Sequence, residues 1–361
     1  MTPFVRQYGE TDFITGLRCI AALMVIMIHT GALRDFGVLG SNMTSNGKYG
    51  VQIFFVISGF TVARTFMASD SFANYFGRRI LRIAPLYYAV ILLAFALIYS
   101  GVISRPYWMT LYDGQPDSYD LFMHLTFLSA WDARVANSLI GVEWSIPIEV
   151  FWYAVLPLLL PIPSSRNRII YIFLGLLLLS GVSRAVGHLL LPAHAAHFLP
   201  ITYGAYFYLG VIAEHLRPKA QKLPINKLRN YVLLASLLFM LGLVTDTGMN
   251  AVFLALATAG LIIFHPGQDG RRGLLCWRPL LFLGSISYSL YLLHNLAITA
   301  IKTLGPEGLS GGLPFFFWVT GVTVLLSSVT YWLIEHPSNK LGKRLFGPHS
   351  AKADPDALAK P

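Results

Sequence analysis

Long stretches of apolar residues, separated by short polar segments, dominate the chain from end to end. Each stretch is continuous and does not alternate between apolar and polar positions, which favours membrane-spanning helices over a transmembrane barrel. A span needs roughly 17–25 such residues, and most of the stretches reach that length. The pattern therefore predicts an all-α, polytopic transmembrane helix bundle of about ten helices, at 13–33, 49–68, 81–102, 142–161, 169–191, 199–214, 230–245, 251–265, 280–302 and 313–334.

The composition supports a membrane protein. The chain has 361 residues, of which 55% are hydrophobic and 12% are charged, and its mean hydropathy is +0.60. Soluble domains contain about 25% charged residues. We expect a single transmembrane domain over residues 1–346, followed at 347–361 by a disordered cytoplasmic tail rich in Ala, Pro and Lys.

The distribution of Lys and Arg predicts an orientation. With the N-terminus in the cytoplasm, the outer loops hold only Arg34, Lys48, Arg105 and Arg134, and the inner loops hold clusters at 78–82, 166–168, 217–229, 271–278 and 340–344. This asymmetry follows the positive-inside rule and predicts that both termini are cytoplasmic. The net charge of +10 is then mainly a topology signal, so we expect contact with membrane lipids and no nucleic-acid partner.

Two ionisable residues, Arg18 and His29, lie within the first apolar stretch. Such groups are expensive in hydrocarbon, so their presence indicates a functional site. Eleven residues correspond to about three helical turns, which places both side chains on nearly the same face, roughly 16 Å apart along the axis. The alternative for His29 is a buried imidazole bonded to a neighbouring helix.

Six short motifs occur in order along nearly the whole chain. They are TGLRCIAA at 15–22 with His29, GVQIFFVISGF at 50–60, RRILRIAP at 78–85, WSIPIEVFWY at 144–153, SYSLYLLH at 287–294 and EHP at 335–337. Together they resemble the motifs of the acyltransferase-3 family of membrane acyltransferases. The chain departs from that pattern at Gln52, where many members carry an acidic residue, and at Pro147, which we expect to interrupt the helix that carries Glu149.

The resemblance implies an enzyme of the bacterial inner membrane that moves an acyl group, most often acetyl, from cytoplasmic acyl-CoA to a hydroxyl group. The implied acceptor is an exopolysaccharide, an O-antigen, a lipid-linked sugar or a small molecule. Acetyl-CoA or another acyl-CoA is the expected co-substrate, and no metal is expected. Some members carry a fused extracytoplasmic hydrolase-like domain; here we expect the membrane domain to perform the whole reaction.

The proposed chemistry assigns roles to the charged residues. His29 has the unperturbed pKa, near 6.5, that suits a general base acting on the acceptor hydroxyl. An acyl-histidine intermediate is the second route. Arginine binds phosphate in a bidentate manner, so Arg18 is expected to hold the CoA phosphates together with Arg79 and Arg82, two residues selected by the family resemblance.

Four other polar residues near these motifs are candidates for the site, and three of them have two possible roles. Glu149 must be paired or protonated in its span, and either orients His29 or pairs with an arginine. Glu143, at the outer edge, is expected to face the acceptor sugar. Ser58 either permits close helix approach beside Gly59 or contacts the substrate near the thioester. His294 is either a satisfied core group or a second base that contacts the substrate.

Two other classes of protein compete with an enzyme. A transporter or flippase of a lipid-linked sugar also needs intramembrane Arg and His, but it predicts inverted repeats or paired broken helices. The sequence shows no convincing repeat. A purely structural membrane subunit leaves the aligned Arg18 and His29 unexplained.

Overall fold

The computed structural model describes residues 10–106, 115–160, 166–191, 195–267, 273–304 and 310–347. Within these ranges the chain forms α-helices joined by loops and short 3-10 turns, and no residue is in a β-strand. The predicted tail lies outside the described residues beyond 347. The helices are α1 (Asp12–Thr30), α2 (Gly37–Asn46), α3 (Gly50–Met67), α4 (Phe72–Tyr99), α5 (Ser118–Leu125), α6 (Ser145–Leu159), α7 (Arg166–Leu190), α8 (Gly204–Ala220), α9 (Ile225–Val244), α10 (Asn250–Phe264), α11 (Arg278–Ser285), α12 (Ser287–Leu304), α13 (Gly312–Thr330) and α14 (His336–Phe346).

Six helical segments in the described chain are long and apolar enough to cross a membrane, and α11 with α12 forms a seventh if this pair, bent by 72°, is one span. Two further apolar helices, α6 and α10, are shorter than a usual span. The predicted all-α membrane protein is therefore confirmed. The number of ten spans and the cytoplasmic location of both termini remain predictions. The single segments are Asp12–Thr30, Gly37–Met67, Phe72–Tyr99, Asn167–Leu190, Ile225–Val244 and Gly312–Phe346.

Helix α3 crosses α8 at very short range. A Cβ atom on Gly59 would lie 1.8 Å from the carbonyl oxygen of Phe207, and one on Gly210 would lie 2.0 Å from the carbonyl oxygen of Val56. Only glycine fits at such backbone-to-backbone distances, so both helices need their glycines here. This contact confirms the close helix approach expected beside Ser58, and it fixes the face of α3 that carries the Ser58 side chain.

Pro147 does not interrupt the helix that carries Glu149, in contrast to the expectation from the sequence. Helix α6 begins at Ser145, so Pro147 lies in its first turn. Proline is tolerated there because the N–H groups of the first turn have no partner within the helix. Glu149 follows in regular helix and faces α3, where its carboxylate meets Ser58.

The last two helices form one rod that changes its winding near the end. Residues Tyr331–Glu335 form a π-helical turn between α13 and α14. Such turns shift the register of a helix and are frequent at functional sites. Helix α14 packs against α4, where Phe346 contacts Gly77 and Leu81 lies beside Gly342. This contact holds the basic helix α14 against the helix that carries Arg82.

Candidate active site

Two cavities meet at Arg18 and Arg82. The central cavity, of about 60 Å³, lies between α1, α3, α4, α6 and α12, and its lining includes Phe54, Ser58, Glu149, Tyr153 and Tyr291. The basic cavity, of about 610 Å³, lies between α1, α4, α11, α12 and the α13–α14 rod. Arg18 and Arg82 line both, together with Ser287 and Tyr288. The two arginines therefore stand at the passage from the basic cavity into the central cavity.

Among the described residues no carboxylate forms an ion pair with the arginines at this passage, although Glu149 and Glu335 line the same two cavities. In the part of the chain that the structure describes, no Asp or Glu oxygen lies within 4 Å of the Arg18 or Arg82 guanidinium. The break after Ser285 also brings the N-terminus of α12, at Ser287, to both cavities. A helix N-terminus carries partial positive charge and unpaired N–H groups. Two arginines and a helix N-terminus together make a site for an anion such as a diphosphate.

Arg79 differs from the other two arginines. Its side chain is buried, and it donates hydrogen bonds to the carbonyl oxygen of Thr61 at 2.6 Å and to Thr65 Oγ1 at 2.5 Å. Its guanidinium also lies 5.2 Å from the ring centre of Tyr153. Arg79 is not among the residues that line the two cavities. The structure therefore brings Arg18 and Arg82 together and places Arg79 as a bridge between α3 and α4.

Glu149 lies on the wall of the central cavity with its carboxylate held on one side. Ser58 Oγ and the Tyr153 hydroxyl both donate to its Oε1, at 2.7 Å and 2.5 Å. Among the described residues no hydrogen bond joins Glu149 to His29. The alternative in which Glu149 orients His29 therefore does not match the structure, because its partners lie on α3 and α6. Ser58 is both a cavity residue and a partner of Glu149.

His29 is oriented by a second histidine. Nε2 of His294 lies 3.0 Å from Nδ1 of His29, which also lies 2.9 Å from the carbonyl oxygen of Val25. On the other side of the His294 ring, Nδ1 lies 2.6 Å from the carbonyl oxygen of Tyr291. A carbonyl only accepts, so His294 Nδ1 carries a proton and its Nε2 is an acceptor. His29 Nδ1 is then the donor, which leaves the Nε2 lone pair of neutral His29 free.

The two histidines differ in exposure. His294 is completely buried, whereas the side chain of His29 is exposed. The reading of His294 as a satisfied core group fits its burial and its two hydrogen bonds, although one of those bonds reaches the candidate base. His294 therefore has no free nitrogen with which to contact a substrate. His29, in contrast, is exposed, and its Nε2 has no hydrogen-bond partner among the described residues.

Aromatic side chains stand between the central cavity and the histidine pair. Tyr291 lies on α12 one turn before His294, and its ring centroid is 6.1 Å from that of Phe54. The Tyr291 hydroxyl donates to the carbonyl oxygen of Val142 at 2.6 Å and accepts from Ser145 Oγ at 2.8 Å. Both rings line the cavity, whereas His29 does not. Phe54 and Tyr291 thus narrow the side of the cavity nearest to His294, whose ring centroid lies 6.0 Å from that of Tyr291.

Glu143 does not face open space, in contrast to the expected contact with an acceptor sugar. Its side chain is completely buried, and its oxygens accept backbone N–H bonds from Leu139, Gly141 and Val142 at 2.7, 2.6 and 2.9 Å. Burial raises the pKa of this carboxyl, an effect that the three hydrogen bonds oppose. Glu143 therefore holds a turn before α6, and its carboxylate is not available to a substrate.

The same buried region contains a histidine that the sequence did not single out. His124 is fully buried on α5, with Nδ1 2.9 Å from the Tyr87 hydroxyl and Nε2 3.9 Å from Glu143 Oε1. Burial lowers the pKa of His124 to about 3, so the imidazole is neutral at physiological pH. The loop that joins α4 to α6 is rich in Tyr and Trp, and its residues 107–114 lie outside the described residues. In its described part, Trp131 packs edge-on against Phe151.

The site contains no arrangement suited to a metal. Across the described ranges, no group of three His, Cys, Asp or Glu side chains is close enough to bind one. The site offers a free imidazole nitrogen on α1 and, on the same helix, an anion site at the passage between two cavities. This combination is typical of an enzyme that transfers a group from a phosphate-bearing donor.

Comparison with known families decides the class. Residues 11–332 match the family model Acyl_transf_3, which is described as an acyltransferase domain. The chain belongs to the acyltransferase-3 family. The resemblance carried by the six sequence motifs is therefore confirmed, and every residue of the histidine pair and of the anion site lies within the matched region.

Curated relatives include O-acetyltransferases. The protein OatA of Staphylococcus aureus is 24% identical over 92% of this chain and 58% of its own length. YrhL of Bacillus subtilis, whose name describes peptidoglycan O-acetylation, is 27% identical over 92% of this chain and 55% of its own length. Nodulation protein 10 of Rhizobium leguminosarum is 27% identical over 81% of this chain and 82% of its own length. The chain thus spans little more than half the length of OatA and YrhL. No solved structure gives a significant match.

Proposed function

We propose that the protein is an integral membrane O-acetyltransferase that moves an acetyl group from cytoplasmic acyl-CoA to a hydroxyl of a surface carbohydrate. The observation that supports this most directly is the placement of Arg18 and Arg82, neither in an ion pair among the described residues, at the passage between the basic cavity and the central cavity. Arg18 and His29 lie on the same helix, α1, roughly 16 Å apart along its axis. A donor whose phosphates bind at the arginines has to extend its thioester along this distance.

The orientation proposed from Lys and Arg places the anion site at the cytoplasmic side, where acyl-CoA is found. The basic cavity is then the entrance for the donor, and the CoA diphosphate binds Arg18, Arg82 and the N-terminus of α12. The pantetheine arm lies in the central cavity beside Ser58 and Tyr153. The thioester passes the constriction between Phe54 and Tyr291 to reach His29.

In the proposed reaction, His29 Nε2 takes the proton from the acceptor hydroxyl as its oxygen attacks the acetyl carbonyl carbon. A C–O bond forms and the C–S bond to CoA breaks. The CoA thiolate leaves and takes up the proton from the His29 imidazolium, which restores the neutral imidazole. His294 accepts the Nδ1–H of His29 throughout, so it stabilises the positive charge that develops on the ring.

The acceptor class is proposed from the relatives and from the position of His29. OatA is named an O-acetyltransferase and the name of YrhL describes acetylation of peptidoglycan, so a carbohydrate hydroxyl is the favoured acceptor. His29 lies at the end of α1 opposite to Arg18, which in the proposed orientation is the outer side of the bacterial cytoplasmic membrane. An exopolysaccharide, an O-antigen or a lipid-linked sugar is accessible from that side.

A transfer assay tests this function. Full-length protein in lipid nanodiscs is incubated with radiolabelled acetyl-CoA and candidate glycans, and label in the glycan is counted. We expect transfer by the wild type, none above background by His29→Ala, and unchanged transfer by His215→Ala, an exposed histidine at the other end of the bundle. Retained transfer by a folded His29→Ala protein would falsify the assigned role of His29.

The same assay separates the enzyme from a transporter. A transporter predicts paired broken helices, whereas the described residues contain one bent pair, α11 with α12. Movement of an unmodified sugar across the membrane without acetyl-CoA supports a transporter and contradicts the proposal. Label transfer that needs acetyl-CoA supports the enzyme.

A further inference from the structure

One face of the final rod lines the basic cavity. Trp332, His336, Lys340 and Lys343 follow one another at helical spacing and all contribute to the cavity wall. Arg344, the next residue along α14, does not. Residues beyond 332 lie outside the region matched by the family model, so the family match assigns no role to Lys340 or Lys343.

Among the described residues, the two lysines on this face have no carboxylate partner. No Asp or Glu oxygen in the described ranges lies within 4 Å of the Lys340 or Lys343 ammonium group. The acidic residue of the cavity, Glu335, is buried and accepts a hydrogen bond from Ser289. Two lysines with free charge on the wall of a large cavity are suited to a phosphate group, for which lysine acts as a point charge.

The same face carries an aromatic platform beside the lysines. The ring centroids of Trp332 and His336 are 5.1 Å apart, and Trp332 is 47% exposed. Both rings line the basic cavity. Indole rings stack on nucleobases, and this contact is independent of the base sequence because every base has a flat π-face. An aromatic platform next to two unpaired lysines fits a purine that carries a phosphate.

We propose that this face of the α13–α14 rod is the recognition site for the 3′-phosphoadenosine end of CoA. Lys340 and Lys343 bind the 3′-phosphate, and Trp332 with His336 holds the adenine. The diphosphate then reaches Arg18 and Arg82 on the opposite wall, and the pantetheine arm enters the central cavity. This assignment rests on the proposed acyl-CoA donor and adds to it the residues that distinguish CoA from shorter thiols.

Binding to CoA and to 3′-dephospho-CoA tests the lysines. Affinities are measured by calorimetry on the full chain in nanodiscs of zwitterionic lipid. We expect the wild type to bind CoA about tenfold more tightly than 3′-dephospho-CoA. The double variant Lys340→Gln, Lys343→Gln is expected to bind the two ligands equally, with the affinity for 3′-dephospho-CoA unchanged. Arg344→Gln is the matched control and keeps the wild-type difference.

The outcomes separate this inference from the proposed function. Equal binding of both ligands by the wild type overturns the inference while leaving the acyl-CoA donor intact. No binding of either ligand contradicts the donor itself. A third outcome combines two measurements. The wild type does not distinguish the two ligands, and anionic lipid in the nanodisc raises the stability of the wild type but not that of the double variant. The lysines then bind lipid headgroups, and the inference is wrong.

The adenine contact is tested separately. Trp332→Leu is expected to weaken CoA binding about tenfold and to leave the affinity for 4′-phosphopantetheine, which lacks the base, unchanged. Trp318→Leu, an exposed tryptophan on α13 that does not line the cavity, is the control. An equal loss for both ligands in Trp332→Leu would show that the ring supports the fold and does not hold the base.

Discussion

His294 Nε2 lies 3.0 Å from His29 Nδ1, and this contact between α12 and α1, together with the carbonyl oxygen of Val25, determines which nitrogen of His29 is free to act. The carbonyl oxygen of Tyr291 accepts a hydrogen bond from His294 Nδ1. This bond places the proton of neutral His294 on Nδ1 and leaves its Nε2 as an acceptor for His29. Because α12 begins at the helix break, one helix supplies the anion site at Ser287 and the partner of the candidate base at His294.

His294 is expected to be a positioning residue. His294→Leu removes one of the two acceptors of His29 Nδ1–H and leaves the carbonyl oxygen of Val25. Loss of one hydrogen bond of about 1.4 kcal/mol corresponds to a roughly tenfold lower kcat. The KM for acetyl-CoA is expected to stay unchanged, since the donor binds at the opposite end of α1. Initial rates in the glycan transfer assay, at varied acetyl-CoA, give both constants.

His294→Gln is the matched variant, because its amide oxygen provides an acceptor in place of Nε2. It is expected to recover most of the lost kcat. If the Leu and Gln variants lose activity equally, or if both raise KM for acetyl-CoA, the residue acts through the packing of α12 and not through His29.

The arginines of α4 are expected to separate into two roles. Arg82→Gln removes an unpaired charge from the donor passage, so KM for acetyl-CoA should rise about tenfold with the unfolding temperature unchanged. Arg79→Gln removes a buried bridge to Thr61 and Thr65, so it should lower the unfolding temperature, and activity should fall with the folded fraction. A raised KM in a stable Arg79→Gln protein contradicts this division.

Glu143 is expected to stabilise the fold. Glu143→Ala leaves the N–H groups of Leu139, Gly141 and Val142 buried without an acceptor, and each buried unsatisfied group costs about 1–3 kcal/mol. A lower unfolding temperature, measured by scanning fluorimetry in detergent, is the expected result. Asp246→Ala, at an exposed carboxylate in the loop between α9 and α10, is the control with little effect. An unaltered unfolding temperature together with a raised KM for the glycan would restore the substrate role.

Stability is expected to fall in mild acid because of His124. The pKa of His124 is about 3 in the folded protein and about 6.5 when unfolded, so the unfolded state binds more protons between these values. Stability is therefore highest above about pH 6.5 and declines as the pH falls, by at most ~1.4 kcal/mol per pH unit. The raised pKa of Glu143 acts in the opposite direction.

The variant His124→Asn isolates this effect. Its unfolding temperature should change less between about pH 7 and about pH 5 than that of the wild type. A wild-type unfolding temperature that rises on acidification, or an equal pH dependence in both proteins, contradicts the assignment to His124.

Much of the architecture was predictable from the sequence, because long hydrophobic stretches correspond to individual helices. Ten runs were found, and a helix or helix pair occupies each of them in the structure. The break between α11 and α12 was not predicted, since the run at 280–302 is continuous and nothing in its hydropathy marks Ile286. Pro147 was expected to break the helix because the sequence does not show where α6 begins. Whether a proline is tolerated depends on that first residue, since a proline in the first turn does not disturb the helix.

The site residues show which information the sequence pattern does not contain, namely which side chains contact one another. Arg18 and His29 were identified from their cost in a membrane and their common helical face. The partner of His29 was not identified, because both candidates, Glu149 and His294, lie far from His29 in the sequence. Only the packing of the helices decides which of these side chains reaches α1. Glu143 was misjudged for a related reason: an acidic residue at the edge of a span faces either a substrate or its own backbone, and the choice depends on the turn at 139–142.

The constriction between Phe54 and Tyr291 is expected to limit the length of the acyl group. Both rings line the central cavity on the side of the histidine pair, so a longer acyl chain meets them before its carbonyl reaches His29. Phe54→Ala removes one ring and should raise the ratio of butyryl to acetyl transfer several-fold, with kcat for acetyl-CoA reduced because the thioester is held less firmly. Phe66→Ala, on the same helix α3 but not on the cavity wall, should keep the wild-type ratio. A ratio unchanged in a folded Phe54→Ala protein would show that the acyl group takes a path that avoids these rings.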